Sequence, residues 1–274
     1  MPNSKKIKRA AAVSEEHAQY IKKIRRDGLK VTLLRVGIMV ALIGLWELSA
    51  GLKWIDPFIM SSPSRIVNTI VSLFNSGQLL MHIGVTLWET VMGFVLGTVM
   101  GIGIAIILWW SPTVQKTLDP YLVVLNSLPK IALGPVIIIW VGAGQAAIIT
   151  MALLISVVVT VMSVLSGFME VSGEKLMLMR TFGATKMQML GMVILPASVP
   201  SIISTIKINV GMTWVGVIVG EYLVSKAGLG YLIVYGGQVF KLDLVMASIL
   251  ILSVVAVLMY LVVAWVEKRY NRTR

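Results

Sequence analysis

Cysteine is absent from the sequence, and only 13% of its 274 residues are charged, against about 25% in average soluble proteins. The absence of cysteine excludes disulfides, zinc sites with thiolate ligands and cysteine nucleophiles. Hydrophobic residues make up 57% of the chain and the mean hydropathy is +0.90, so the composition excludes both a soluble globular protein and a disordered one. The apolar runs are long and continuous, which predicts an all-α membrane protein with several membrane-spanning helices.

The sequence also lacks the patterns of common catalytic and nucleotide sites. No Gly-x-x-x-x-Gly-Lys-Ser/Thr motif occurs, so we expect this chain to bind no ATP through a phosphate loop of its own. No Gly-x-Ser-x-Gly motif occurs, and the two histidines, His17 and His82, are expected on opposite sides of the membrane. The chain is therefore predicted to be no enzyme and to hold no metal or cofactor, which leaves transport or scaffolding.

Six segments are long and apolar enough to cross a membrane, for which about 20 residues are needed. They cover residues 32–51, 82–109, 121–141, 148–168, 196–222 and 244–266. We therefore expect one bundle of six transmembrane helices over residues 32–266, preceded by a basic segment at 1–31 and followed by a tail at 267–274.

The formal net charge of +12 comes from Lys and Arg residues that flank the spans, so it indicates orientation in the bilayer and not nucleic-acid binding. Most of these residues lie before residue 36, in the connection at 169–195 or after residue 266, which predicts that all three segments and both termini are cytoplasmic. Residues 14–30 carry apolar side chains among the bases and are either an interfacial helix on anionic headgroups or a solvated tail.

Two connections are too long for simple hairpins. The outer one, residues 52–81, contains a predicted short helix at 65–74. The inner one, residues 169–195, is predicted to form one or two short helices. Long ordered loops are usually functional, so the inner connection is the main candidate for a functional element.

Polar residues within the predicted spans have two open interpretations, because an ionisable side chain in a membrane needs a cavity or a partner. They line a translocation pathway through spans three and five, with Lys207 attracting an anionic solute, or they form hydrogen bonds between helices. The pathway candidates are Asn126, Ser127, Lys207, Asn209, Thr213 and Glu221.

Span two carries a stripe of glycines, Gly93, Gly97 and Gly101, at four-residue spacing. Small residues repeated on one helix face allow close helix contact in lipid. The stripe therefore predicts tight packing, either within the bundle or between subunits.

The inner connection carries a more specific pattern. Gly183 is followed, after nine residues, by Val-Ile-Leu-Pro at 193–196. This resembles the cytoplasmic signature of permease subunits of ATP-binding-cassette (ABC) importers, which reads Glu-Ala-Ala, three residues, Gly, nine residues, Ile-x-Leu-Pro. The upstream half departs from that signature and holds Glu174, Met177, Leu178, Met179 and Arg180.

Further segments are similar to the nitrate/sulfonate/taurine/bicarbonate branch of that family. They are the Pro-Ser segment at 61–64, the patterns at 118–120, 128–129, 134–135 and 140–142, the Pro-Ala-Ser-Val-Pro at 196–200, and Glu221 with Gly-Leu-Gly at 228–230. The resemblance extends over nearly the whole chain, and its segments occur in the same order as in the family.

The resemblance implies a type I importer fold with a cytoplasmic coupling helix, in the bacterial cytoplasmic membrane. It implies a second permease subunit (the same chain or a paralogue), two ATPase subunits that bind ATP and Mg, an extracytoplasmic solute-binding protein, and membrane lipid. The implied solute is a small anion or organic acid, such as nitrate, bicarbonate, a sulfonate or taurine. The implied ATPase-coupling residues are Glu174, Met177, Leu178, Met179, Arg180, Gly183, Leu195 and Pro196, with Gly183 at the closest approach.

Two alternatives to an importer permease remain. An ion-coupled secondary transporter would carry its own coupling residues, and the spans contain no series of carboxylates. A membrane scaffold of an energy-coupling-factor system would bind an ATPase while another protein recognises the solute. The Pro-Ser segment at 61–64 and the six-span pattern favour the importer over this scaffold.

Overall fold

The computed structural model describes the backbone of residues 4–271, which is helical apart from short connections. The α-helices are α1 (Ser4–Gly51), α2 (Pro57–Met60), α3 (Pro63–Asn75), α4 (Gln78–Trp110), α5 (Pro112–Ser127), α6 (Gly134–Val141), α7 (Gln145–Met169), α8 (Gly173–Thr181), α9 (Lys186–Met189), α10 (Leu195–Val224), α11 (Leu229–Gln238) and α12 (Leu242–Asn271). A 3-10 turn at Lys130–Leu133 precedes α6, and a π-helical turn at Leu190–Ile194 joins α9 to α10.

Five of these helical stretches are single candidate spans, and a sixth is a helix pair bent by 86°. The all-α, six-span prediction is therefore confirmed when the bent pair counts as one span. The chain divides into two compact units at Arg65 and Ile66. The first contains α1, α2 and the start of α3, and the second contains the other helices.

In the first unit, α1 is one continuous helix that includes residues 14–30, and the choice between an interfacial helix and a solvated tail stays a prediction. Near the other end of α1, Glu47 accepts hydrogen bonds from the backbone N–H of Ser64 at 2.9 Å and from its hydroxyl at 2.7 Å. A carboxylate at the first turn of a helix satisfies N–H groups that lack intrahelical partners. Glu47 therefore holds the start of α3.

In the second unit, α4 packs closely on α7 through the glycine stripe. A Cβ atom on Gly93 would lie 2.8 Å from Cβ of Ala152, and one on Gly101 would lie 2.5 Å from Cβ of Thr160. Real Cβ atoms do not approach so closely, so the glycines are needed for this contact. The sequence left open whether the glycine stripe packs within the bundle or between subunits. The structure shows that it packs within the bundle, against α7.

The third span is not the continuous helix predicted at 121–141. Helix α5 ends at Ser127, and Leu128 is extended, with φ −62° and ψ 138°. Pro129 explains the break, because a proline has no N–H to donate and pushes the residue before it out of the helical region. The chain resumes through the 3-10 turn and α6, so the span is a bent pair of helices.

The helix of span five begins earlier than the prediction at Pro196. The π-helical turn lets the N–H of Leu195 donate to the carbonyl of Leu190, five residues back, and the helical path runs without interruption into α10. An extra residue in the turn relieves the clash that a proline ring makes with the carbonyl four residues before it. Pro196 therefore lies inside a continuous helical path instead of starting it.

Candidate coupling surface and buried polar cluster

The inner connection folds into two short helices, as predicted, and the turn between them depends on Gly183. This glycine has φ +73°, its N–H donates to the carbonyl of Arg180 at 2.9 Å, and the next N–H, of Ala184, donates to Met179 at 3.0 Å. These two bonds form a Schellman motif, which ends a helix at a left-handed residue. No atom lies within 4 Å of a Cβ built on Gly183, so the chain itself makes no close approach there.

Helix α9 starts with a capping box that we did not predict. The Thr185 side chain accepts a bond from the N–H of Gln188, and the Gln188 side chain accepts one from the N–H of Thr185. The signal was present in the sequence as Thr-x-x-Gln directly after a glycine turn. Both ends of the Gly183 turn are therefore fixed by local hydrogen bonds.

The two short helices expose a set of large apolar side chains, which we call the coupling surface: Met177, Leu178, Phe182 and Met187, with exposed fractions of 71%, 57%, 77% and 67%. Met179 is half-buried, and Glu174 and Arg180 are exposed beside it. Phe182 and Met187 were absent from the predicted coupling residues, although Phe182 directly precedes Gly183 and Met187 follows it by four residues. Exposed apolar side chains in a loop are typical of a protein–protein contact.

The coupling surface is mechanically connected to the bundle. Leu190 and Ile194 are buried in a cluster with Leu108 of α4 and Phe168 of α7. Lys186 donates to the carbonyl of Trp110 at 3.3 Å, which joins the loop to the end of α4. The inner connection is therefore joined to α4 and α7 by packed side chains and by one hydrogen bond.

On the other side of the bundle, Glu221 is 1% exposed, and both of its carboxylate oxygens accept hydrogen bonds. One carboxylate oxygen accepts from the Thr86 hydroxyl at 2.6 Å, and the other accepts from the N–H groups of Gly230 at 2.6 Å and Tyr231 at 3.4 Å. The last two are first-turn donors of α11, which lack intrahelical partners. Glu221 therefore fastens α10 to both α4 and α11.

Two further bonds hold the segment before α11 against α4. The N–H of Gly228 donates to Nδ1 of His82 at 2.9 Å, and the N–H of Leu229 donates to the Thr86 hydroxyl at 2.8 Å. Gly228 has φ +118°, a conformation that L side chains rarely adopt. The structure gives Glu221 and the Gly-Leu-Gly segment a role in packing.

Asn209 and Thr213 also lie inside the bundle. Asn209 donates to the Thr98 hydroxyl of α4 at 2.8 Å, and Thr213 donates to the carbonyl of Asn209 at 2.8 Å. Both residues are buried. The Asn209–Thr98 bond joins α10 to α4, as the second of the two interpretations expects, whereas the Thr213 bond lies within α10.

Lys207 and the pair Asn126 and Ser127 lie in two other places. Lys207 forms an ion pair with Glu267 of α12 at 3.0 Å. Asn126 and Ser127 are exposed at the break in the third span, where the Asn126 carbonyl accepts from Lys130 at 3.0 Å. The six pathway candidates therefore form no single site, and their role in translocation stays a prediction.

Glu89 was not among the pathway candidates. It is fully buried, and neither carboxylate oxygen has a hydrogen-bond partner among the described residues. It borders a cavity of about 320 Å³ together with Gln145 and Lys226. The sequence signal for Glu89 as a candidate was its position as a carboxylate deep in span two. Among the described residues, no three His, Asp or Glu side chains are grouped as a metal site would require.

Comparison with known proteins shows what this chain is similar to. Residues 93–272 match the family described as binding-protein-dependent transport system inner membrane component. A probable ABC transporter permease protein of Haemophilus influenzae is 31% identical over 88% of this chain and 98% of its own length. A putative aliphatic sulfonates transport permease protein of Bacillus subtilis is 28% identical over 98% of both chains.

The fold is also similar to that of a solved transporter. A chain of the bacterial alginate ABC transporter, in complex with an alginate pentasaccharide-bound periplasmic protein, aligns with a TM-score of 0.62. The alignment covers 91% of this chain and 97% of that one, at 18% identity. At that identity the likeness shows a shared fold.

Proposed function

Because the chain belongs to the family of binding-protein-dependent inner-membrane transport components, and is an ABC importer permease, we propose that it carries a small anion or organic acid in an ATP-driven importer. Of the candidate solute classes, sulfonates have the most direct support, since the Bacillus subtilis relative is named for aliphatic sulfonates. Family membership favours the importer over both the secondary transporter and the energy-coupling-factor scaffold.

The observation that carries this proposal is the coupling surface. Four large apolar side chains are exposed on two short helices and the turn between them, and this segment is packed against α4 and α7. The sequence has no phosphate loop, so the ATP-driven importer proposed here needs a separate ATPase that acts on the bundle. We assign the coupling surface to contact with an ATPase subunit. Two such subunits would serve a pair of permease chains, because closed two-fold assemblies are the commonest symmetry.

The proposed solute-binding protein acts on the opposite side of the membrane. The family description names dependence on a binding protein, and the solved alginate transporter is in complex with a periplasmic protein. The positive charges near residues 1–35, 169–195 and 267–274 support cytoplasmic termini and a cytoplasmic coupling surface. That orientation places the segments between α1 and α4, and between α10 and α12, outside.

Cross-linking tests the assignment. Because the chain has no native cysteine, every cross-link starts from the cysteine that is introduced. A cysteine introduced at Met179 or Lys186 should link to the ATPase, whereas one at Lys226 should link only to the solute-binding protein. Purified alone, the chain should hydrolyse no nucleotide; reconstituted with its partners, it should support uptake of an aliphatic sulfonate. Links from Met179 only to the external protein, or hydrolysis by the single chain, would contradict the proposal.

A further inference from the structure

A basic cavity lies beside the coupling surface at the ends of several helices. It has a volume of about 300 Å³ and lies where the end of α4, the start of α5, the end of α7 and the helices α8 and α9 meet. Phe168 and Met189 are buried in its floor. Lys116 of α5, Arg180 of α8 and Lys186 of α9 contribute exposed cations to its wall. Three positive charges from three elements thus surround an apolar floor.

These charges have no acidic partner in the part of the chain that the structure describes. Among the residues that the structure describes, none of the three cations has a carboxylate at ion-pair distance, and no Asp or Glu lines the cavity. Lys186 donates one N–H of its ammonium group to the carbonyl of Trp110, and its other two N–H groups remain for a bound anion. The cavity is therefore suited to an anion that accepts several hydrogen bonds, of which a phosphate group is the usual example.

The position of the cavity points to the source of that phosphate. Trp109 and Trp110 border it at the end of α4, packed edge to face with ring centroids 6.4 Å apart. Tryptophan is enriched at the level of the lipid headgroups, and basic pockets on the cytoplasmic side of helix bundles bind anionic lipids. An apolar floor below a ring of cations matches a molecule with a phosphate above an apolar body.

We propose that this cavity binds the headgroup of an anionic phospholipid from the cytoplasmic leaflet, and that the bound lipid joins the turn between α4 and α5 to the inner connection. The proposal rests on the cytoplasmic orientation proposed above. The main rival occupant is an acidic surface of the ATPase. The lining favours lipid, because none of the exposed apolar side chains Met177, Leu178, Phe182 and Met187 takes part in it, although Arg180 and Lys186 are neighbours of that surface in sequence.

Lipid binding to the full-length chain in a neutral detergent tests the proposal. Phosphatidylglycerol and phosphatidylcholine are titrated, and bound lipid is counted by native mass spectrometry. Lys116→Gln should weaken phosphatidylglycerol binding about fivefold, and removal of all three charges should weaken it about 100-fold, with phosphatidylcholine unaffected. Lys116 is exposed and makes no side-chain hydrogen bond among the described residues, so this variant should melt at the wild-type temperature without lipid.

The control is Lys175→Gln, which removes an exposed charge from α8, beside Arg180 but outside the cavity lining. It should leave phosphatidylglycerol binding unchanged. Equal binding of the two lipids, or equal losses in Lys116→Gln and Lys175→Gln, would overturn the proposal. So would inorganic phosphate that displaces phosphatidylglycerol at the same concentration as the lipid itself, because a free anion would then suffice. A triple variant that keeps lipid binding but loses the ATPase would assign the cations to the rival occupant.

Discussion

Position 183 can require glycine for two reasons, the left-handed backbone of the turn or close contact with the ATPase. Substitutions at Gly183 distinguish the two. In the structure its φ is +73° and a Cβ would meet no atom within 4 Å, so the chain itself opposes a side chain only through backbone strain. For an L residue that strain is about 1–2 kcal/mol, which reduces the population of the native turn by a factor of about 5–30. We therefore expect Gly183→Ala to lower uptake in reconstituted vesicles without reducing membrane insertion.

Three comparison variants give this prediction its magnitude. Gly183→Asn should retain most of the uptake, because Asn tolerates the left-handed conformation. Gly173→Ala adds a Cβ in the same loop at a helical position with nothing within 4 Å, so it should be neutral or slightly stabilising. Gly183→Trp carries the same backbone strain as Gly183→Ala. Any greater loss of uptake therefore indicates that the larger side chain meets the ATPase.

The turn itself can be followed by spectroscopy, since the chain has no native cysteine. Spin labels on cysteines at Met179 and Met187 report the separation of α8 and α9 by pulsed electron paramagnetic resonance. Gly183→Ala should broaden the distance distribution, and Gly183→Asn should leave it close to that of the parent. An unchanged distribution and full uptake in Gly183→Ala would refute the strain argument, and equal uptake in the Ala and Trp variants would place Gly183 away from the ATPase.

Two further predictions follow from packing and pairing in the spans. Gly101→Ala should destabilise the bundle by about 1–3 kcal/mol, because its Cβ would lie 2.5 Å from Thr160, whereas Gly103→Ala meets nothing within 4 Å and should have little effect; thermal melting of the two variants checks this. Lys207→Met should reduce stability by leaving Glu267 unpaired, and Lys207→Met with Glu267→Gln should recover it. If uptake at limiting solute recovers as well, Lys207 acts through the ion pair; if it stays low, Lys207 attracts the anionic solute.

The spans and the short helices of the inner connection could be predicted from the sequence, because each depends on local composition. A run of about 20 apolar residues has few alternatives to a membrane helix, and flanking Lys and Arg residues set its direction. The motif of Gly183 followed by Leu195-Pro196 is also a local sequence feature, and the structure shows the turn at Gly183 with φ +73°. The break at Pro129 was equally local, and its consequence for the third span was overlooked.

Only the tertiary structure decided which partner each polar residue has. Glu221 pairs with Thr86 across 135 positions, and Lys207 pairs with Glu267 across 60. Helical periodicity shows which face a residue occupies but not which helix lies opposite that face, because the arrangement of the spans follows from side-chain packing. The basic cavity formed by Lys116, Arg180 and Lys186 has the same origin, since it exists only where separate helix ends converge.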